Sequence, residues 1–143
     1  MKPFDIHRVE NYFDKSGYHY SSDEETGALH GSWNDIPFRF ASLEENQWLM
    51  VQTRWEVPDE VRILDSSRAV LVIQDAANEW NRQYLQPTGY PISVDGTWLI
   101  QLDMAVFFAT PCTDEQVHLA IDRALEVHLQ AHEVMGGLFS PII

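Results

Sequence analysis

The longest alternating pattern in this sequence predicts a β-strand with one apolar face. Every second side chain from Trp98 to Phe108 is apolar, and a period of two is typical of a strand that covers a hydrophobic core. Asp95-Gly96 precedes this pattern and is a strong signal for a two-residue hairpin turn. We therefore expect a short strand at Ile92–Val94 to pair with a long strand at Trp98–Ala109 in an antiparallel sheet.

A meander of three further strands is expected between residues 18 and 55. Polar turns at Asn34-Asp35 and Glu44-Glu45-Asn46 divide this region into short alternating segments. Pro37 indicates that the second segment begins there or lies at an edge of the sheet. The three strands are expected over residues 29–33, 36–40 and 48–55.

Three helices are expected around these strands. The first, at Phe4–Ser16, ends at Gly17, because glycine readily adopts the left-handed conformation found at helix C-termini. The second is capped by Ser66 or Ser67. It ends at Gln86-Pro87, since the residue before a proline avoids the helical region.

The last helix is expected to begin at Thr113, where Thr113 and Gln116 form a capping box, and to end at Gly136-Gly137. The predicted order of elements is therefore α-β-β-β-α-β-β-α. Its simplest architecture is an α+β fold with helices packed on a face of one antiparallel sheet. The apolar tail at 137–143 is expected to dock on an apolar surface, either of its own chain or of a second one.

Composition indicates one acidic domain. The 143 residues predict a single domain over 1–143, with a formal net charge of −13. This charge repels nucleic acid and anionic membranes, so neither is an expected partner. The longest apolar run, Met104–Ala109, is too short to span a membrane, and the first residues lack the apolar core of a signal peptide. The only cysteine, Cys112, fits a cytoplasmic location without disulfides.

The best candidates for a metal site are two histidines on the last predicted helix. His128 and His132 lie four residues apart, a spacing that zinc can use. Glu133 lies outside the pair, so the order of a zinc protease is missing, and two partly buried structural histidines are the simpler interpretation. Cys112 at a strand-to-helix junction is a candidate nucleophile that no local motif supports.

No chemistry-bearing constellation stands above these candidates. The sequence contains no glycine-rich phosphate loop. We therefore predict no catalytic residues and no cofactor. The alternatives are a metal-binding protein or enzyme built on His128, His132 and Cys112, or a small-ligand sensor with a pocket between sheet and helices.

Several apolar residues suggest a protein-binding surface. Trp80 and Tyr84 belong to the second predicted helix, whose apolar residues extend around more than one side. Leu138 and Phe139 belong to the apolar tail. Because aromatic residues are enriched at interfaces, we predict that these four residues contribute to a dimer or partner surface.

Three segments also occur in a recognisable order. They are Gly31-Ser32-Trp33 leading to Phe38-Arg39-Phe40, then W-L-M-V-Q-T-R-W at Trp48–Trp55, then Ala76–Asn81. Together they resemble the YbjN family, whose fold is similar to that of type III secretion chaperones, and the third is similar to its L-N-x-W-N helix motif. The long strand and the helix start at Thr113–Gln116 also match. Ala77 departs from the leucine of that motif, and the tail after Gly137 lies outside the pattern.

The resemblance implies the α-β-β-β-α-β-β-α fold, frequent dimers and a role in protein interaction. This family has no established catalytic residues, so none is carried over to this chain. We therefore expect a non-enzymatic protein-binding module, chaperone-like or regulatory, that acts as a homodimer.

Overall fold

The structure is a computed structural model that describes residues 1–139. Its elements are α1 (Ile6–Ser16), β1 (Tyr20–Ser22), β2 (Leu29–Trp33), β3 (Ile36–Leu43), β4 (Trp48–Glu56), α2 (Asp59–Arg62), α3 (Ser66–Gln83), β5 (Thr88–Val94), β6 (Thr97–Phe107), α4 (Asp114–Val134) and a 3-10 turn at Met135–Leu138. The strands form one six-stranded sheet in the order β1-β2-β3-β4-β6-β5. The predicted α+β class with a single antiparallel sheet is confirmed.

The chain divides into two compact units. The first unit contains residues 1–53 and 104–126, and the second contains residues 54–103 and those from 127 onward. The boundaries fall inside β4, β6 and α4. A single domain over 1–143 stays a prediction.

In the first unit, an aromatic cluster joins α1 to the strands. Phe13 of α1 is completely buried, and its ring centroid lies 5.4 Å from that of Trp33 and 5.1 Å from that of Phe40. Trp33 also meets Tyr18 edge-on at 5.4 Å. Leu29 pairs with Phe40 across β2 and β3, so alternate residues of these strands face the same core.

Polar side chains set the ends of α1. The Asp5 carboxylate accepts a hydrogen bond from the Arg8 amide at 3.3 Å, so the helix begins at Ile6 and not at the predicted Phe4. Gly17 ends the helix with a φ of 75°, as predicted.

The capping box of α4 is confirmed. The Gln116 amide donates to Thr113 Oγ1 at 3.1 Å, and the Thr113 amide donates to Gln116 Oε1 at 2.8 Å. The helix ends at Val134, and the predicted terminator Gly136-Gly137 lies inside the 3-10 turn that follows. Across residues 1–139, no helix is both long and apolar enough to cross a membrane.

Two short elements differ from the sequence-based prediction. β1 pairs with β2, with Tyr20 opposite Gly31, although residues 20–22 carry no apolar alternation that would reveal a strand. α2 lies in the segment predicted as a loop, and four residues are too few to display helical periodicity.

The cap of α3 is also corrected. Asp65, and not Ser66 or Ser67, caps this helix, because its Oδ1 accepts from the Arg68 amide at 3.0 Å. The Ser67 hydroxyl donates to the same oxygen at 2.8 Å and so supports the cap without forming it.

The second unit has a continuous hydrophobic core. It joins buried residues of the chain segment around α2, α3, β6 and the end of α4, which are Val57, Val61, Ala69, Ile73, Ala77, Trp80, Ile100, Leu102, Ala131 and Met135. Ile100 and Leu102 are completely buried, as the alternation along β6 predicts. We call this set the core cluster.

The edge strand β5 is longer than predicted. It begins at Thr88, four residues before Ile92, and it includes Pro91, which pairs with Ile100 of β6. Proline is tolerated there because β5 is the last strand in the sheet order. On its outer side no neighbouring strand needs a hydrogen bond from the backbone amide that proline lacks.

Candidate functional site

Trp80 lies in the core and not at the surface where the sequence pattern places it. Its side chain is 0% exposed, and its Nε1–H donates to the Pro87 carbonyl oxygen at 2.6 Å. The apolar face of α3 that carries Trp80 packs with Ile100 and Leu102. The assignment of Trp80 to a partner surface is therefore corrected, because its indole is enclosed by its own chain.

The residue after Trp80 also binds β5. Asn81 Nδ2 donates to the Gly89 carbonyl oxygen at 2.8 Å, and Asn81 Oδ1 accepts from the Gly89 amide at 2.8 Å. A Cβ atom at Gly89 would lie 3.3 Å from Leu102 Cδ2 and 3.5 Å from Ile100 Cγ2, so a side chain there would crowd the core. The Trp-Asn pair of α3 thus holds the helix against the edge strand.

Tyr84 joins the core to the surface. It is the C-terminal cap residue of α3 and is half-buried. Its ring stacks on the indole of Trp80, with centroids 4.1 Å apart and 15° between the planes. Tyr84 therefore packs on its own chain with one side of its ring, and part of the residue remains exposed.

The apolar tail begins on the same core. Leu138 and Phe139 are half-buried and pack against the core cluster, and the Phe139 ring stacks on Trp55 at 5.4 Å with 23° between the planes. The tail therefore docks on its own chain as far as Phe139. The rest of the predicted tail, residues 140–143, lies outside the described residues.

These residues belong to a larger set that we call the aromatic rim. It consists of the half-buried apolar residues that pack against the core cluster, namely Trp55, Leu64, Val72, Tyr84, Trp98, Val134, Leu138 and Phe139. Strand alternation assigns Trp55 and Trp98 to the core side of the sheet. The predicted strands already place both residues at strand ends, and the observed limits of β4 at Glu56 and of β6 at Thr97 agree. Alternation does not show that the two side chains are only half-buried there. The site prediction missed both tryptophans for that reason.

A polar network lies on the other face of β5 and β6. Tyr90 pairs with Gln101, one residue away from Leu102, so both side chains point away from the core cluster. Arg54 Nε donates to Gln101 Oε1 at 3.0 Å, Gln101 Nε2 donates to Asp103 Oδ1 at 2.9 Å, and the Tyr90 hydroxyl donates to Asp103 Oδ2 at 2.5 Å. Burial and the bond to Asp103 raise the pKa of Tyr90 to about 12. This face is therefore polar, unlike the apolar aromatic rim.

The two candidate metal ligands are buried to different degrees. His128 is 0% exposed, and His132 is partly buried. Burial lowers the pKa of His132 to about 4, which keeps the imidazole neutral at pH 7. Among residues 1–139, no group of three or more His, Cys, Asp or Glu side chains is arranged to hold a metal ion. Burial of both side chains favours the structural interpretation.

Cys112 is enclosed by contacts within the first unit. The residue is 4% exposed, and Arg8 Nη1 donates to its Sγ at 3.2 Å while Nη2 donates to its carbonyl oxygen at 3.0 Å. Two backbone hydrogen bonds of 3.1 Å and 2.9 Å connect Cys112 to Lys2. These contacts favour a structural role for the thiol.

Solved structures share this fold at low sequence identity. YbjN from E. coli, titled "a putative transcription regulator", is 14% identical over 96% of this chain and 97% of that chain, with a TM-score of 0.72. A chain of the ExsC–ExsE complex is 14% identical over 91% and 92%, with a TM-score of 0.55. A chain of the HopA1–SchA chaperone–effector complex is 10% identical over 92% and 99%, with a TM-score of 0.52. The expected chaperone-like fold is therefore confirmed.

Comparison at the level of sequence gives the family. No curated protein matches the chain. The model of the YbjN family, described as "Putative bacterial sensory transduction regulator", matches residues 5–136. Since this match spans nearly all of the 143 residues, the resemblance seen in the sequence is confirmed, and the chain belongs to the YbjN family.

Proposed function

We propose that this chain is a non-enzymatic protein-binding module, chaperone-like or regulatory, that acts as a homodimer through its aromatic rim. The observation that carries the proposal is the stacked pair of Trp55 and Phe139, which is only half-buried in a chain with a net charge of −13. Aromatic residues are enriched, and charged residues depleted, at the centres of protein interfaces. The rim has this composition, whereas the net charge keeps the rest of the protein soluble.

The fold supports binding to another protein. Two of the structures that share it were solved as complexes, one of them a chaperone with an effector. The family description as a regulator of sensory transduction supports a regulatory role in the same way. A protein-binding activity accounts for both without requiring a catalytic group.

The contacts of the candidate catalytic residues support a role other than catalysis. Arg8 encloses the thiol of Cys112, and His132 is neutral and packed in α4. Cys112 is also a free, buried cysteine, which suits a reducing compartment. The proposal therefore includes a cytoplasmic location.

Within the rim, Tyr84, Leu138 and Phe139 are the residues we assign to the dimer surface, together with Trp55. Each already packs on the core cluster on one side, so its conformation is ordered before a second copy binds. Full burial of a large apolar side chain contributes about 1.5–3 kcal/mol, and a half-buried one retains part of that contribution for association. In a two-fold symmetric dimer each of these residues contributes twice, once from each copy.

Sedimentation velocity across a dilution series tests this proposal. We expect the wild-type chain to dimerise with a concentration-dependent sedimentation coefficient, and Phe139→Ala to weaken the dimer by about tenfold or more, as for a central interface residue. Phe107→Ala is the matched control, because Phe107 is 56% exposed and belongs to the first unit, outside the rim. Its dimer constant should stay within about threefold of the wild type.

Two results would contradict the proposal. One is a wild-type chain that remains monomeric at high micromolar concentration. The other is an equal loss of dimer in Phe107→Ala and Phe139→Ala, which would show that the rim has no special part. Circular dichroism of both variants confirms beforehand that each is folded.

A further inference from the structure

A cleft in the first unit gathers positive charge in an otherwise acidic chain. Its volume is about 350 Å³, and Lys2, Arg8, Asn11, Lys15 and His118 line it together with two aspartates. The sequence contains only two lysines, and both belong to this cleft. Nothing in the composition of a chain with a net charge of −13 requires its two lysines to line the same cleft.

The elements around the cleft explain why these side chains converge. Arg8, Asn11 and Lys15 occur at positions i, i+3 and i+7 of α1 and so share one helix face. His118 lies in α4, one turn after Asp114, which begins that helix. The cleft is therefore bounded by α1 and by the first turns of α4.

Lys2 is held in place at this site. Its amide and carbonyl groups form the two backbone hydrogen bonds to Cys112, of 3.1 Å and 2.9 Å. Its carbonyl oxygen also accepts from Arg8 Nη1 at 2.8 Å. The backbone that carries the Lys2 ammonium group is thus ordered before any ligand binds.

The two aspartates of the cleft already have partners. Asp114 accepts from Arg8 Nη2 at 2.8 Å, and Asp14 accepts from the Tyr20 hydroxyl at 3.0 Å. Within the described part of the chain, no ion pair involves Lys2 or Lys15. The lining therefore carries three positive charges, of Lys2, Arg8 and Lys15, against two carboxylates. The hydrogen bond from Arg8 and the charge of Lys2 both lower the pKa of Asp114.

Two further donors belong to residues that line the cleft. Arg8 is 8% exposed, and its Nε–H is a buried group without a hydrogen-bond partner in the part of the chain that the structure describes. An unsatisfied buried donor is unfavourable for the folded chain. The imidazole of His118 is oriented by stacking on Tyr12 at 4.2 Å, with 22° between the planes.

We propose that this cleft binds a phosphate group, either as free phosphate or as part of a small phosphomonoester. The lining has a net charge of 3 − 2 = +1 in a chain that is strongly acidic elsewhere, and lysine binds phosphate as a point charge. The cleft is larger than one phosphate group, which leaves room for a small organic substituent. A small anion interacts mainly with the charges that line the cleft, because salt screens the distant acidic surface beyond about 8–10 Å.

Titration of the ¹⁵N-labelled chain by NMR tests the proposal, with inorganic phosphate and glycerol 3-phosphate as probes and sodium chloride at equal ionic strength as the reference. We expect amide shifts at Lys2, Asn11, Lys15 and His118. The double variant Lys2→Gln/Lys15→Gln should bind about tenfold more weakly or worse. Tighter binding of glycerol 3-phosphate assigns the site to phosphomonoesters, and equal or weaker binding assigns it to free phosphate.

The matched control is Arg68→Gln/Arg123→Gln, which removes two positive charges outside the cleft. It should bind within about twofold of the wild type. The proposal is overturned if neither probe shifts these amides beyond the chloride reference, or if the control loses as much affinity as the lysine variant. The cleft and the aromatic rim share no residue, so this proposal and the proposed function can fail independently.

Discussion

The side-chain amide of Asn81 exchanges two hydrogen bonds with the backbone of Gly89, each 2.8 Å long. A backbone N–H carries one hydrogen, so the Gly89 amide that donates to Asn81 does not donate to β6. Helix α3 thus supplies to the edge strand the partner that a further strand would otherwise provide. This relationship gives the Asn81 position of the family motif a physical role.

Loss of this side chain should destabilise the protein. We expect Asn81→Ala to lower the free energy of unfolding by about 2 kcal/mol, because two hydrogen bonds of about 1 kcal/mol each are lost. The unfolding free energy of Asn81→Asp should lie between those of the wild type and Asn81→Ala. A carboxylate still accepts from the Gly89 amide but donates nothing to its carbonyl. Urea unfolding followed by circular dichroism measures both.

Asn78→Ala is the control for this experiment. Asn78 belongs to the same helix and is exposed, so its removal should change the free energy of unfolding by less than about 0.5 kcal/mol. If Asn81→Ala were no more destabilising than this control, the contact with Gly89 would contribute nothing to stability.

Trp80 should behave as a core residue. Trp80→Ala is expected to cost about 3–5 kcal/mol of unfolding free energy, the range for removing a large buried aromatic side chain. Trp80→Phe should lower the unfolding free energy by less, because phenylalanine retains most of the apolar volume. Its remaining cost includes the lost hydrogen bond to the Pro87 carbonyl. Denaturant unfolding measures the unfolding free energy of both variants. A loss below about 1 kcal/mol for Trp80→Ala would instead favour a surface position for Trp80, as the sequence pattern predicted.

His132 should make stability depend on pH. Its pKa in the folded chain is about 4, below the ordinary value of 6.5, because burial disfavours the charged form. Between these values the unfolded chain binds more protons, so stability is fully present above pH 6.5 and decreases as the pH falls toward 4.

His132→Gln should flatten this dependence. The test compares urea midpoints between pH 6.5 and about 5, above the range in which most carboxylates titrate. His19→Gln is the control, because His19 is exposed in the first unit. An unchanged slope in His132→Gln would mean that this imidazole is not the group that titrates.

Local signals in the sequence predicted much of the fold. Asn34-Asp35 and Asp95-Gly96 form turns in which all four residues have positive φ, the conformation that these residue types tolerate best. The alternation along β6 likewise identified which of its residues are buried. Such features depend on neighbours in sequence, so a single chain displays them.

The candidate sites depend on contacts that no local pattern contains. Helical spacing placed Trp80 and Tyr84 on one face of α3. Spacing predicts the direction in which a side chain points, but it does not predict how deeply that side chain is buried. Packing against β5, β6 and the rest of the core cluster buries Trp80 and leaves Tyr84 half-buried. The cationic cleft was missed because Lys2, Lys15 and His118 meet only after α1 and α4 have packed.

The composition of β5 has a consequence for how the protein behaves when it is concentrated. Pro91 has no amide hydrogen, and the amide of Gly89 is already bonded to Asn81. A foreign strand that approached this edge would miss donors at two alternate positions, and β1 at the other edge is only three residues long. We therefore expect both edges of the sheet to be poor templates for edge-to-edge growth into amyloid-like fibrils.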